Sequence, residues 1–302
     1  MNLRDLEYVV ALAKAGSFSR AAEACAVSQP TLSLQIKKLE DELGIALFER
    51  NGRTIGLTAT GKKILAFAET AVNAATDLRR AATADRDPLV GPLRIGIIPS
   101  LAPYALPVVL PAVREALPTA PLVIVEEPTA ALTARLADGD LDGALLATEM
   151  PGFIEAPIAA EALFAALPAA HPLAKRAVLN LDDVDPATIL LLDDGHCLRD
   201  HALALCSHPD RARSIGGDMR AASLETLLNL VRAGYGVTVV PALALAGRMP
   251  LAGVTLRPLS GAPVRDLRLA YRRNAPRRAA LDLLAAVLRR EIGSAPIIEF
   301  QA

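Results

Sequence analysis

From Thr58 to Asp87 the chain contains no proline, and Ile64, Leu65, Ala68, Val72, Ala75 and Leu78 recur at helical spacing. Thr58 is placed to cap a helix from 59 to about 86, roughly 40 Å long at the usual rise. Pro88-Leu89-Val90-Gly91-Pro92 then stops it and forms a short hinge. A helix of this length with one apolar stripe needs a partner, most simply its own copy in a dimer. The same helix divides the chain into a head over 1–58, a linker over 59–87 and a body over 88–302.

Inside the head, Leu3, Leu6, Val9, Val10 and Ala13 mark a first helix that Gly16-Ser17 ends. Ser19 is placed to cap a short helix over 20–26. Val27-Ser28 breaks the chain, and Ser28 can cap a third helix with Pro30 in its first turn and Gly44 as its stop. Leu32, Ile36, Leu39 and Leu43 form its apolar face, and Thr31, Ser33, Gln35, Lys37 and Lys38 lie elsewhere. A short helix, a tight turn and a polar-tipped amphipathic helix make a helix-turn-helix, whose second helix lays its N-terminal end in the DNA major groove. Ser28, Gln29, Pro30, Thr31, Ser33, Gln35 and Lys37 are therefore the candidate contacts. Asn51-Gly52 between two short runs signals a hairpin. Arg50 and Arg53 flank it, making a wing suited to the phosphate backbone or the minor groove. The reading of the head is an all-α winged helix-turn-helix, with Cys25 as core filler.

Strands and helices alternate in the body: strands over 93–98, 122–126 and 143–147, helices over about 104–117 and 130–137. After Ala162 come strands near 163–166, 189–192, 237–240 and 267–271, with helices over 224–233 and 276–290. This pattern predicts a parallel sheet in an α/β layer architecture. Pockets in such sheets open beyond the strand C-termini. Ser100 follows the first strand, Thr129 opens a helix after the second, and His196 and Cys197 follow the strand over 189–192.

Two of the three cysteines, Cys197 and Cys206, stand in residues 193–206. Asp194-Gly195 reads as a turn, and good helix formers run on from Leu198, which puts Cys197 at a helix N-terminus. The helix dipole, His196 and Arg199 would all favour the reactive thiolate there. Nine helical residues span about 13 Å, whereas a disulfide needs Cα atoms roughly 5.5 Å apart. Joining the two sulfurs therefore needs local refolding, which is one way to build a switch. Two other readings stay open at this point: both cysteines as buried filler, or a metal site from His196, Cys197, His201, Cys206 and His208, whose spacing matches no common zinc motif.

Composition excludes several classes. No run reaches the roughly eighteen apolar residues of a membrane span, and no basic-then-apolar leader opens the chain. An odd cysteine count argues against an extracellular disulfide framework, so a cytoplasmic location is expected. The net charge of -1 does not favour nucleic acid. The balance is local instead: Arg50, Arg53, Lys62 and Lys63 occur over 50–63 with no acid.

Residues 17–65, SFSRAAEACAVSQPTLSLQIKKLEDELGIALFERNGRTIGLTATGKKIL, resemble the head of LysR-type transcription regulators almost continuously. GHCLRDHALALC, residues 195–206, resembles the redox segment of that family's hydrogen-peroxide-sensing members. The resemblance implies a regulatory domain like the periplasmic binding proteins. Its two α/β subdomains would share a cleft and be crossed twice by the chain, with subdomain I at 93–162 plus 267–302 and subdomain II at 163–266. It implies that Cys197 is the peroxide-reactive cysteine and Cys206 the resolving one, with Ser100, Thr129, His196, Arg199 and Arg265 around the pocket. Serine at position 100 keeps the hydroxyl of the threonine frequent in relatives and loses its methyl. His201 and His208 fall outside the motif and read as surface or locally hydrogen-bonded residues. No cofactor and no metal are implied. The implied partners are double-stranded promoter DNA, hydrogen peroxide, RNA polymerase and further copies of the chain, a homodimer through the linker helix within a homotetramer, with no membrane.

The function so implied is control of oxidative-stress genes through a reversible Cys197–Cys206 thiol–disulfide switch. One rival is a regulator of the same family that binds a small metabolite in the cleft. The other is a thiol peroxidase or disulfide oxidoreductase, for which the chain offers neither a Cys-x-x-Cys nor a convincing nucleotide-binding glycine motif, and which has no use for a DNA head; the protein is expected not to be an enzyme.

Overall fold

The computed structural model describes residues 1–51, 54–84, 89–206, 221, 223–245 and 252–293. It divides into two compact units, residues 1–86 and 87–302.

In the first unit α1 (Leu3–Ala15) opens on a reciprocal cap. The Asn2 side chain accepts from the Asp5 amide, the Asp5 carboxylate accepts from the Asn2 amide, and Gly16 at φ +61° closes the helix. α2 (Phe18–Ala24) starts at Ser17 rather than the expected Ser19, because Phe18 packs into the head core and draws the first turn forward; it ends by Ala24, and Ala26 at φ +54° makes the turn. α3 (Gln29–Leu43) has the anticipated ends: the Ser28 hydroxyl accepts from the Thr31 amide at 3.3 Å, Pro30 sits in the first turn, and Gly44 is left-handed. Tyr8, Val9, Leu12, Ala21, Ala22, Leu32, Ile36, Leu39, Leu47 and Ala68 form the core, with Cys25 half-buried against it.

β1 (Phe48–Asn51) and β2 (Thr54–Leu57) pair antiparallel, from Phe48 opposite Leu57 to Asn51 opposite Thr54. One oxygen of Glu40, on α3, accepts from the Leu47 and Phe48 amides at 2.7 and 3.1 Å, which ties the hairpin to the recognition helix. α4 (Ala59–Ala84) begins where the Thr58 hydroxyl accepts from the Gly61 amide. A Cβ on Gly61 would stand 2.0 Å from the Leu47 carbonyl oxygen, so only glycine fits. Ile64, Leu65 and Ala68 join the head core, but Leu78 at the far end of the stripe is 70% exposed and Phe67 73%.

In the second unit the chain runs β3 (Leu93–Ile97), α5 (Ala102–Ala116), β4 (Leu122–Glu126), α6 (Thr129–Ala137), β5 (Gly143–Leu146), β6 (Ile154–Pro168), α7 (Cys197–Ala204), α8 (Leu224–Arg232), β7 (Thr238–Pro241), β8 (Val254–Pro258), β9 (Val264–Tyr271) and α9 (Arg278–Gly293). The sheet order is β4-β3-β5-β9-β6-β7, with β8 also on β6. Among the named strands the parallel pairings are β4 with β3 and β3 with β5. β9 enters between β5 and β6 and runs antiparallel to both, so the sheet is mixed rather than parallel as the alternation suggested. Residues 189–192 are not a strand. They make two isolated parallel bridges, Ile189 to Val237 and Leu192 to Ala221, because a 3-10 turn at Pro186–Thr188 delivers the chain and the Asp194-Gly195 turn removes it.

β6 is the spine of this unit. Residues 154–162 pair with β9; from Leu163 onward the same strand pairs with β7, and from Phe164 with β8. It thereby leaves one packed layer and enters another at 162/163.

Candidate redox site and nucleic-acid face

The site is built around Arg265, the largest of the fully buried side chains at 1% exposure. Arg265 on β9 stands opposite Glu161 on β6 in the strand register, and its Nε donates to Glu161 Oε2 at 2.8 Å. Its Nη1 and Nη2 donate to the hydroxyl and carbonyl oxygens of Ser100, at 2.9 and 3.2 Å, in the turn after β3. The second Glu161 oxygen accepts from the Leu243 amide, just beyond β7. One guanidinium thus fastens β9, β6 and the β3 turn together, with its charge neutralised inside the protein, the arrangement that makes a buried cation tolerable.

Cys197 is the first residue of α7 and is buried. Gly195, at φ +91° in the preceding turn, lies against Pro128, the residue before α6, so the N-termini of α6 and α7 adjoin. Burial pushes the Cys197 thiol up; the Arg265 charge and the Thr129 hydroxyl act against that, and Asp200 adds to it. Thr129, first in α6, has a buried hydroxyl with no protein hydrogen-bond partner of ordinary geometry. Ser100, Thr129, Arg265 and Cys197 are therefore linked through Arg265 and the thiol.

Arg199 donates to the Leu192 carbonyl at 3.1 Å and pairs with Asp194 at 3.1 Å, so it braces the loop before α7. The cation that acts on the thiol is Arg265. His196 is the half-buried N-cap residue and makes no side-chain capping bond. Burial outweighs the Arg265 charge, the Thr129 hydroxyl and the Leu198 backbone, and holds the thiol above its ordinary value.

Two residues of the site escaped the sequence reading. Glu161 is one: its signal is an acid in a run of small apolar residues, but its pairing with Arg265 depends on a strand register invisible in the sequence. The other is His201, read as a surface or locally hydrogen-bonded residue. It is half-buried one turn after Cys197, with Nδ1 fully buried and in no hydrogen bond of ordinary geometry, although the Cys197 backbone acts on the ring. Burial first, and then the Arg265 charge, hold its imidazole below the ordinary histidine range.

Cys206 lies two residues past the end of α7, half-buried, its thiol donating to the Ala202 carbonyl at 3.3 Å. Burial and the Asp182 charge push that thiol up as well. All three cysteines are free thiols. With α7 formed, its two ends are about 10 Å apart at the helical rise. Among the described residues no three His, Cys, Asp or Glu side chains converge as a metal site, and His208 lies outside the described residues. Nearby, the Tyr104 hydroxyl of α5 donates to Glu225 of α8 at 3.1 Å.

On the head, Ser28, Gln29, Pro30, Thr31 and Lys37 are exposed and Ser33 and Gln35 half-exposed, on the side of α3 away from the buried Leu32, Ile36 and Leu39. Arg50 stands on β1 opposite Ile55; Arg53 lies outside the described residues. Among the described residues, no helix is long and apolar enough to cross a membrane.

Residues 3–62 match the family model for the bacterial regulatory helix-turn-helix protein, lysR family, and residues 86–293 match the LysR substrate binding domain. The chain is 40% identical over 292 residues to the DNA-binding transcriptional dual regulator OxyR of Escherichia coli, covering 96% of this chain and 95% of that one. It is 40% identical over 297 residues to the hydrogen peroxide-inducible genes activator of Haemophilus influenzae, covering 97% and 98%. Among solved structures, a full-length mutant OxyR from Pseudomonas aeruginosa aligns with a TM-score of 0.72 at 34% identity, covering 99% of this chain and all of that one. A hydrogen-peroxide-bound cysteine mutant of Corynebacterium glutamicum OxyR aligns with a TM-score of 0.64 at 36% identity, covering 97% and 93%.

Proposed function

The chain belongs to the LysR family of bacterial regulatory proteins, among its OxyR-type members, and from that premise we propose that it is a DNA-binding transcription regulator switched by hydrogen peroxide through Cys197 and Cys206. The observation that carries the proposal is the placement of Cys197: a buried thiol at a helix start, acted on by the Arg265 charge and the Thr129 hydroxyl, with a second thiol just past the end of that helix.

The chemistry needs only these groups and the oxidant. The Cys197 sulfur attacks one peroxide oxygen, the O–O bond breaks, and the other oxygen leaves as water once protonated; sulfur loses two electrons and becomes a sulfenic acid. Ser100 and Glu161 are already satisfied by Arg265, so the group best suited to hold a metabolite carboxylate is engaged within the protein, which weighs against a metabolite inducer. The Cys206 thiol then displaces hydroxide from the sulfenic sulfur, giving the disulfide and a second water. Because a disulfide needs Cα atoms roughly 4.4–6.8 Å apart, α7 unwinds as it forms. A dithiol reductant would reverse the change.

The exposed face of α3 and the β1–β2 wing would contact promoter DNA. The open Leu78 end of α4 would meet the same helix of a second copy, giving a homodimer within a homotetramer that engages RNA polymerase in the cytoplasm. Unwinding α7 would change how two regulatory units dock and thereby the spacing of the heads. The decisive experiment combines a gel-shift titration with intact mass spectrometry before and after one equivalent of peroxide. A product lighter by two hydrogens, with altered DNA binding, is expected. Unaltered binding, or continuous consumption of peroxide, would contradict the proposal.

A further inference from the structure

The reaction above leaves one proton unassigned. Burial holds the Cys197 thiol above its ordinary value, so the proton it carries has to go somewhere as the sulfur attacks. Two imidazoles adjoin the thiol in the chain, His196 just before it and His201 one turn on; the remaining groups around it cannot take the proton. Arg265 is a cation, the Ser100 and Thr129 hydroxyls are not bases, and both oxygens of Glu161 are occupied, by Arg265 and by the Leu243 amide. Asp200 is exposed, on the solvent side of α7.

His201 is different. It stands four residues after Cys197 on α7, the spacing at which helical side chains are neighbours. Its Nδ1 is buried and in no hydrogen bond of ordinary geometry, which is uncommon for a buried polar atom. The residue as a whole is only partly buried. Burial first, and then the Arg265 charge from β9, hold its imidazole below the ordinary histidine range, while Asp200 and the Cys197 backbone on its own helix act the other way. A neutral imidazole is an acceptor.

We propose that His201 is the proton carrier of the peroxide reaction, taking the Cys197 thiol proton as sulfur attacks and delivering it to the departing oxygen. The step balances: the S–H bond breaks toward the imidazole, an S–O bond forms, the O–O bond breaks, and the leaving oxygen takes the proton from the imidazolium as water. Thiol and hydrogen peroxide give sulfenic acid and water, and His201 is returned neutral. The role rests on the peroxide-sensing reading and deepens it, since it sets the pH range over which the switch responds.

The test uses the full-length Cys206→Ser protein, in which the sulfenic acid persists, and measures its rate of formation by dimedone trapping and mass spectrometry from pH 5 to 9. With His201 present the rate is expected to fall on the acid side, through an inflection below the ordinary histidine value, as the imidazole becomes protonated. His201→Gln is expected to react at least tenfold more slowly at pH 7, within the usual reach of general acid–base catalysis, and to lose that inflection. His201→Ala, with an unchanged melting temperature, is expected to regain part of the rate in imidazole buffer. A slow His201→Gln that keeps the inflection, or a folded His201→Ala that imidazole does not rescue, overturns the role. A parent that reacts with peroxide while His201→Gln matches its rate and profile overturns His201 alone. A parent that ignores peroxide overturns the sensing reading together with it.

Discussion

Glu161→Ala removes the carboxylate hydrogen-bonded to Arg265. In the native protein the two side chains are 3% and 0% exposed and 2.8 Å apart, and the other Glu161 oxygen takes the Leu243 amide. Truncation strands a buried cation, costing about 3–5 kcal/mol, and orphans a buried amide, costing about 1–3 kcal/mol. Water entering the vacated space recovers some of this, so a net loss of about 4 kcal/mol is expected. For a unit the size of residues 87–302 that corresponds to a fall of about 8–16 °C in its melting temperature. Glu161→Gln, which keeps one acceptor, is expected to lose about half as much. The informative variant is the double replacement Glu161→Leu, Arg265→Met. Apolar replacement of a whole buried pair is often neutral or stabilising, so its melting temperature is expected to recover most of the loss while the peroxide rate at Cys197 stays depressed. Calorimetry of the three variants beside the trapping assay decides the matter. A Glu161→Ala transition within about 2 °C of the parent would show that the Arg265 charge is satisfied some other way. A double variant with full peroxide reactivity would remove Arg265 from the chemistry.

Cys197→Ser is expected to abolish the response to peroxide and Cys206→Ser to yield a trappable sulfenic acid; hydrogen exchange on oxidation rises over 195–206 and stays flat in α1–α3. Lys37→Ala lowers the slope of log affinity against log salt by about one with little change in site discrimination, if the contact is to phosphate, and a titration at several salt concentrations reads this. Because the Cys197 thiol is held above its unfolded value, the folded state retains that proton more tightly, so its contribution is present at neutral pH and lost as pH rises through the thiol range. His201 has the opposite sign: its depressed value makes its contribution present above the unfolded histidine value and lost as pH falls. Melting temperatures from pH 5 to 10, compared with those of Cys197→Ser and His201→Gln, separate the two. Gly61→Ala, whose Cβ would meet the Leu47 carbonyl oxygen at 2.0 Å, is expected to destabilise the head by at least about 2 kcal/mol, measured by urea unfolding.

Local features were legible where local chemistry decides them. Ser28, Pro30 and Gly44 mark the ends of α3 in any context, and Asn51-Gly52 announces the hairpin. The first three strands of the body are legible because each is a short apolar run, and the first two are each followed by a helix. Residues 154–162 were missed because Glu155, Pro157 and Glu161 interrupt any apolar alternation, and β8 because it is bounded by turn residues and has one fully buried side chain, Leu256. Residues 189–192 look like a strand because Ile189, Leu190, Leu191 and Leu192 are all buried, yet burial alone does not supply a partner edge. At the site, the two cysteines are visible as residues, but Glu161 as the partner of Arg265 depends on the β6–β9 register, which no local pattern carries.

The Arg265 bonds have a consequence in time. The guanidinium reaches Glu161 across 104 positions and Ser100 across 165. Contacts of such long range form late, after the loops between them have closed. At synthesis rates of about 5–20 residues per second, Cys197 leaves the ribosome several seconds before β9 can insert between β5 and β6. The head, closed by contacts within its first unit, is able to fold in that interval. A newly made chain therefore passes through a stage in which its DNA-facing head is finished while its cysteine stands in a pocket that Arg265 has not yet joined.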